Sequence, residues 1–187
     1  MHKTVAVCSL IFLLLANGFC HADEDVQRFR RRTLEARQAF KPYDYGHIRV
    51  DGVISADTLR LQSGEKVKLI GVDTPHSKFT PGFTLYLRIT GEKTDKLVRI
   101  FDQASKFVKE LTLGKYVRLE FDKNKSAKNE GLLAYAYLSD GKMLNAEIIK
   151  EGYSRVLEVP PNLKHMGELY DAEREAKEAK RGLWSED

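Results

Sequence analysis

With 187 residues, the chain is long enough for one domain with a real hydrophobic core and short for two. Its 31 basic and 27 acidic side chains leave a formal net charge of +4, compatible with an anionic partner but too small to argue nucleic-acid binding by itself.

The first 22 residues read as a signal peptide. A short positive start, Met1-His2-Lys3, precedes an apolar run from Val5 to Ala16, and Cys20-His21-Ala22 puts small residues where a signal peptidase reads. Cleavage after Ala22 is expected, giving an exported protein, periplasmic or secreted. The run is short for a membrane span, so no stable span is expected after cleavage; an uncleaved anchor is the alternative. Bulky Phe19 argues against a lipoprotein site at Cys20. Both cysteines, Cys8 and Cys20, fall in this segment, so the mature chain carries no thiol, disulfide or cysteine metal site. Cleavage removes Lys3 alone among the charged side chains and lowers the net charge by one.

Residues 23–46 read as a basic linker. The cluster Arg28-Phe29-Arg30-Arg31-Arg32 is either a solvated surface segment or an arm for phosphates and anionic lipid. From His47 the pattern changes to a single domain over 47–187. His47–Ile54, Asp57–Gln62 and Lys66–Val72 alternate as three short strands in a meander, with a turn at Ser63-Gly64. Phe83–Ile89 fits a fourth strand or part of a long loop. Leu97, Ile100, Phe101, Ala104, Phe107, Val108 and Leu111 then recur at helical spacing, with Gly114 as the stop. Tyr116–Phe121 and Leu132–Tyr137 are further strands. Asn145–Glu151 reads as a short helix ended by Gly152, and Leu163, Met166, Leu169, Ala172, Ala176 and Ala179 mark a last helix that stops at Gly182. No internal repeat is visible. Three strands, a helix, two strands and closing helices predict an α+β fold: a five-stranded OB-fold β-barrel with about three packed helices, expected as a monomer.

Four stretches in this order carry a resemblance: Ala56-Asp57-Thr58-Leu59; Val72-Asp73-Thr74-Pro75; Leu132–Tyr137 with Asp140–Asn145 after it; and the final Arg181–Asp187. Together they resemble the staphylococcal-nuclease-like (thermonuclease) domains, and the similarity runs from Ile48 to Asp187. The resemblance implies an OB barrel and, in active members, a calcium-dependent endonuclease that cleaves DNA and RNA. Such chemistry needs several hard oxygens to hold the cation against the phosphodiester. It also needs a general base for the attacking water and two guanidinium forks on the transition state.

Carried over residue by residue, the resemblance places metal carboxylates at Asp57 and Asp73 and a carbonyl ligand at Thr74. The remaining positions depart from it. His76 stands where a water-activating glutamate is expected, Lys68 where the first clamping arginine is, and Gly131 where the second is. Ser55 replaces a carboxylate ahead of the first metal ligand, and Leu157 and Val159 align with two tyrosines of the nucleotide pocket. Lys125 and Lys128, in the loop ahead of the lost clamp, are the candidate nucleic-acid-binding cations that could swing in for it. Each also has an ordinary reading: Asp73 as a turn-former, His76 as a surface histidine, Lys68 as a solvated strand residue. Losing a transition-state donor typically costs about 10²–10³ in rate, and losing a general base about 10²–10⁴. The sequence therefore predicts a nuclease-like domain with little or no phosphodiesterase activity, weak calcium binding and affinity for nucleic acid or another anionic ligand. The alternatives are an active calcium-dependent endonuclease using Lys68 and His76 in substituted roles, and a protein-interaction scaffold.

Overall fold

Strand alternation accounts for the centre of the domain. A computed structural model of the chain describes residues 26–28, 30, 43–75, 81–127 and 131–186. Two compact units are distinguished, residues 1–42 and 43–187; of the first, residues 26–28 and 30 are helical. Among the described residues no helix is long and apolar enough to cross a membrane.

In the second unit β1 (Ile48–Ser55), β2 (Thr58–Leu61) and β3 (Lys66–Leu69) form the antiparallel meander. β5 (Tyr116–Glu120) pairs with β1, and β7 (Gly131–Tyr137) pairs with β5. Parallel pairing of β3 with β7 closes the ring, Val67 opposite Leu132 and Leu69 opposite Ala134. The result is the expected five-stranded mixed barrel. Its interior is filled by Ile48, Val50, Leu59, Leu61, Val67, Leu69, Val117 and Tyr135, all essentially without solvent contact. Among the described residues, closure pairs β3 with β7 at what would otherwise be a sheet edge, and the alternate residues that face inward supply the core. The two-residue strand β6 (Ser126–Ala127) adds to β7 outside this ring, and β4 (Val72–Asp73) pairs with β8 (Arg155–Val156) beside it.

The helices are α1 (Pro81–Thr90), α2 (Thr94–Thr112), α3 (Leu144–Lys150) and α4 (Met166–Glu178), followed by a 3-10 turn at Gly182–Trp184. The strand-or-loop expectation for Phe83–Ile89 is corrected by α1. Proline is well tolerated in a first helical turn, and Phe83, Tyr86 and Leu87 follow at helical spacing. They pack with Leu97 and Ile100 of α2 and with Leu183, a second hydrophobic cluster apart from the barrel core. The run of apolar residues hid this period, because Leu85 and Ile89 are apolar too yet exposed. The last helix also starts later than its apolar pattern suggests: Leu163 is exposed and precedes Met166.

α3 and α4 cover the end of the barrel where β3 runs into β4. Asn145 of α3, fully buried, ties that helix to the barrel: its Oδ1 accepts from the Ala136 N–H of β7 at 2.9 Å, and its Nδ2 donates to the Ile70 carbonyl just after β3 at 2.8 Å. Gly71, at φ +82°, lets α4 pass close by, since a Cβ there would stand 2.2 Å from Leu169 Cδ1. These contacts fix the direction in which the chain delivers Asp73.

On another side, Glu120 ties β5 to the segment entering α4. Its Oε1 lies 2.6 Å from Lys164 Nζ and 2.9 Å from His165 Nε2. Hydrogen bonds from Lys164 and His165 pull the Glu120 carboxyl down from 4.5 to about 2. Because the folded-state value lies below the unfolded one, this stabilisation is fully present above about pH 4.5 and lost as pH falls towards 2. Glu120→Gln should therefore lower stability by about 1 kcal/mol near neutrality, after allowing for solvent screening. The gap between the two proteins in urea melts should close between pH 4.5 and 2. A difference that stays constant over that range would rule the network out as its source.

Candidate functional site

The β1–β2 hairpin turns tightly: Ser55 is opposite Thr58, and only Ala56 and Asp57 lie between them. The main chain of Asp57 is anchored from β3 by the Leu69 N–H, which donates to its carbonyl at 2.8 Å. Its side chain is only 4 % exposed. A carboxylate so buried needs partners, and the turn and the neighbouring strand supply them. Oδ1 accepts from Ser55 Oγ at 2.5 Å and from Thr58 Oγ1 at 2.8 Å. Oδ2 accepts from Lys68 Nζ at 2.9 Å. The antiparallel register supplies the lysine, because Thr58 and Lys68 are opposite one another. Burial alone would raise the Asp57 carboxyl, but the Lys68 charge and the three hydrogen bonds outweigh it, and the group lies below its ordinary value.

Asp73 ends the strand β4. Its N–H donates to Ser154 Oγ at 2.8 Å, and Arg155 is its register partner on β8. Thr74 follows, 2 % exposed. Arg155 extends from there over the second hydrophobic cluster. Its Nη2 lies 3.3 Å from Glu92 Oε1, and its guanidinium carbon sits 4.6 Å from the centre of the Trp184 ring. Glu92 is shared with Lys96, whose Nζ also donates to the Ser185 carbonyl at 2.7 Å. The Tyr86 hydroxyl is pushed up to about 12, by burial first and then by the Asp73 charge, with Arg155 acting in the opposite sense. Asp73 thus lies close enough to the buried Tyr86 phenol for its charge to act on it. Arg155 and Tyr86 belong to none of the motifs; β4–β8 pairing brings Arg155 to the site, and the packing of α1 in the second hydrophobic cluster brings Tyr86.

The remaining expected residues are less gathered. Gly131 opens β7 at φ +85°, and a Cβ there would meet the Lys66 carbonyl oxygen at 2.4 Å. No side chain fits where a second guanidinium was expected. Lys125 is exposed, its Nζ 5.6 Å from the centre of the Phe121 ring. Leu157 is exposed and Val159 is half-buried in the bridge it makes with Asn162. His76 and Lys128 lie outside the described residues.

Calcium binds through several oxygens whose lone pairs are open to it. Both Asp57 oxygens already accept hydrogen bonds, one of them from an ammonium, and among the described residues no three acidic, histidine or cysteine side chains form a metal-holding group. In this arrangement the residues do not fit a calcium ion.

Residues 66–186 match the model of the family described as staphylococcal nuclease homologues, which covers β3, β4, the closing strand β7 and every helix of the domain. The chain belongs to that family. Its similarity to individual proteins extends beyond the matched segment. It is 32 % identical over 139 residues to the thermonuclease of Staphylococcus intermedius, covering 72 % of this chain and 74 % of that one. It is 34 % identical over 145 residues to the endonuclease YncB of Bacillus subtilis (strain 168), covering 74 % of this chain and 62 % of that one. It is also 31 % identical over 154 residues to the uncharacterized protein MJ1439 of Methanocaldococcus jannaschii, covering 76 % of this chain and 73 % of that one. The chain therefore spans less than two thirds of the Bacillus endonuclease's length.

Proposed function

We propose that this chain is an exported nuclease-like domain with little or no phosphodiesterase activity, one that keeps the family barrel as a platform for nucleic acid or another anionic ligand. One observation carries the reading. At the place of the second clamping arginine the backbone requires glycine, with φ +85° and 2.4 Å between a would-be Cβ and the Lys66 carbonyl oxygen. A doubly charged transition state then lacks one of its two forks, and Lys68 offers a point charge in place of the other. The mildly basic charge of the chain supports an anionic ligand.

The names of the relatives, a thermonuclease and an endonuclease, favour a second reading, an active nuclease; with Lys68 and His76 in substituted roles it would be a calcium-dependent endonuclease. Digestion of plasmid DNA and RNA, with calcium and in its absence, separates the two. Uncut substrate is expected from the purified protein under both conditions. Rapid calcium-dependent cutting would establish the second reading instead. Export rests on the Cys20-His21-Ala22 pattern, so the mature product is expected to begin at Asp23. Intact mass of the exported protein checks this, and a retained Met1 would turn the segment into an anchor.

A further inference from the structure

We infer that Lys68 is a tethered counter-cation that takes the place of a divalent metal at Asp57, so the site is closed to calcium by its own side chain. Burial makes a charge partner for Asp57 obligatory: with only 4 % of its side chain exposed, the carboxylate must be neutralised by a proton, a metal or a cationic group. The barrel register supplies the last of these permanently, because Lys68 is opposite Thr58 and its Nζ reaches Oδ2 at 2.9 Å. Ser55 completes the arrangement. A hydroxyl here donates to Oδ1, whereas a second carboxylate would have added the negative charge that a divalent ion needs. Asp73, the other expected metal carboxylate, also has a basic residue, Arg155, as its main-chain register partner across β4 and β8. The charge contact at Asp57 is thus made by a monovalent cation that the barrel itself carries. A calcium ion entering at Asp57 would have to displace the ammonium and then tolerate it a few ångströms away.

The inference deepens the proposed loss of hydrolysis at the same site, but the two fail separately. A protein that binds calcium without cutting sinks only the inference; one that cuts without binding calcium sinks only the proposed function. The test is calcium titration by calorimetry, together with thermal melting with and without about 10 mM calcium chloride, a concentration above the weakest dedicated sites. Wild type should show neither saturable binding nor a calcium-dependent rise in Tm. Lys68→Met removes the charge at similar length, leaving Asp57 to recruit a new partner. Calcium should then bind with Kd of about 10⁻⁴–10⁻³ M, the range of weak extracellular sites, and raise the Tm of this variant alone. Adding Asp57→Asn should abolish both effects. Lys68→Gln, which can still donate to Oδ2 without a charge, provides the same comparison if Lys68→Met does not fold. A calcium-dependent rise in wild-type Tm overturns the inference whatever the variants do, and so does a folded, uncharged variant that ignores calcium.

Discussion

Gly131→Arg, the substitution that would restore the family's second guanidinium, is expected to cripple folding rather than rebuild a clamp. Gly131 is the first residue of β7, one step before Leu132 pairs with Val67 and closes the barrel. At φ +85° a non-glycine residue is strained, typically by about 1–3 kcal/mol. The larger obstacle is steric. A Cβ would lie 2.4 Å from the Lys66 carbonyl oxygen, 3.1 Å from its carbon and 3.2 Å from Lys66 Cβ. These are main-chain and Cβ atoms of β3, which cannot swing away as the end of a side chain could. Relief means separating β3 from β7, and overpacking of this kind costs a further 1–3 kcal/mol or so. A loss of roughly 3 kcal/mol or more corresponds to a fall in Tm of about 10 °C for a domain of this size. Because the clash begins at Cβ, Gly131→Ala should lose nearly as much as the arginine variant. Melting curves for the pair decide the matter, and an alanine variant within about 1 kcal/mol of wild type would refute the steric argument.

How much of the fold and the site is legible in the sequence depends on the range over which each signal acts. Strand alternation is local, so the inward positions of Leu59, Leu61, Val67 and Leu69 can be read from the pattern of the chain, and the barrel with its closing helices follows from the order of the elements. Asp57, Asp73 and Thr74 stand out because their neighbours in sequence carry the resemblance. α1 is hard to read, because Leu85 and Ile89 sit on its exposed side and blur the helical period of Phe83, Tyr86 and Leu87. The pairing of Lys68 with Asp57 is also out of reach. It depends on the register of β2 against β3, and a one-residue slip would turn Lys68 to the other face. Arg155 requires still more: nothing near residue 155 hints at Asp73, 82 positions upstream, until β4 and β8 pair. The constraint on Gly131 comes from a main-chain oxygen of a neighbouring strand, a quantity no composition or spacing contains.

Since position 131 cannot be restored alone, the strongest functional rescue should come from Lys68→Arg combined with His76→Glu, assayed on plasmid DNA with calcium. Each change acts on a different part of one transition state. Arginine supplies a planar fork that matches the phosphoryl oxygens, and glutamate supplies both the expected water-activating base and one more negative charge for the cation. Against wild type, the lost fork and base together correspond to about 10⁴–10⁷ in rate, the product of the usual penalties for each. The double variant should recover much of this while remaining about 10²–10³ below a relative with two guanidinium groups, because Gly131 leaves the second donor missing. Neither single variant should cut measurably. Base, cation and fork are useful only together, so the gain from both should far exceed the product of the gains from each. Lys68→Arg also bears on the closed site: if a guanidinium remains locked on Asp57, the added glutamate is what must draw the cation in, and calcium affinity should rise with His76→Glu even before cutting does. Robust calcium-dependent cutting by the wild type, lost in His76→Ala, would reverse the assignment. It would mean that an imidazole already does the work of the glutamate, that Lys68 suffices as the charge on the phosphate, and that the ion pair with Asp57 opens when substrate and calcium arrive together.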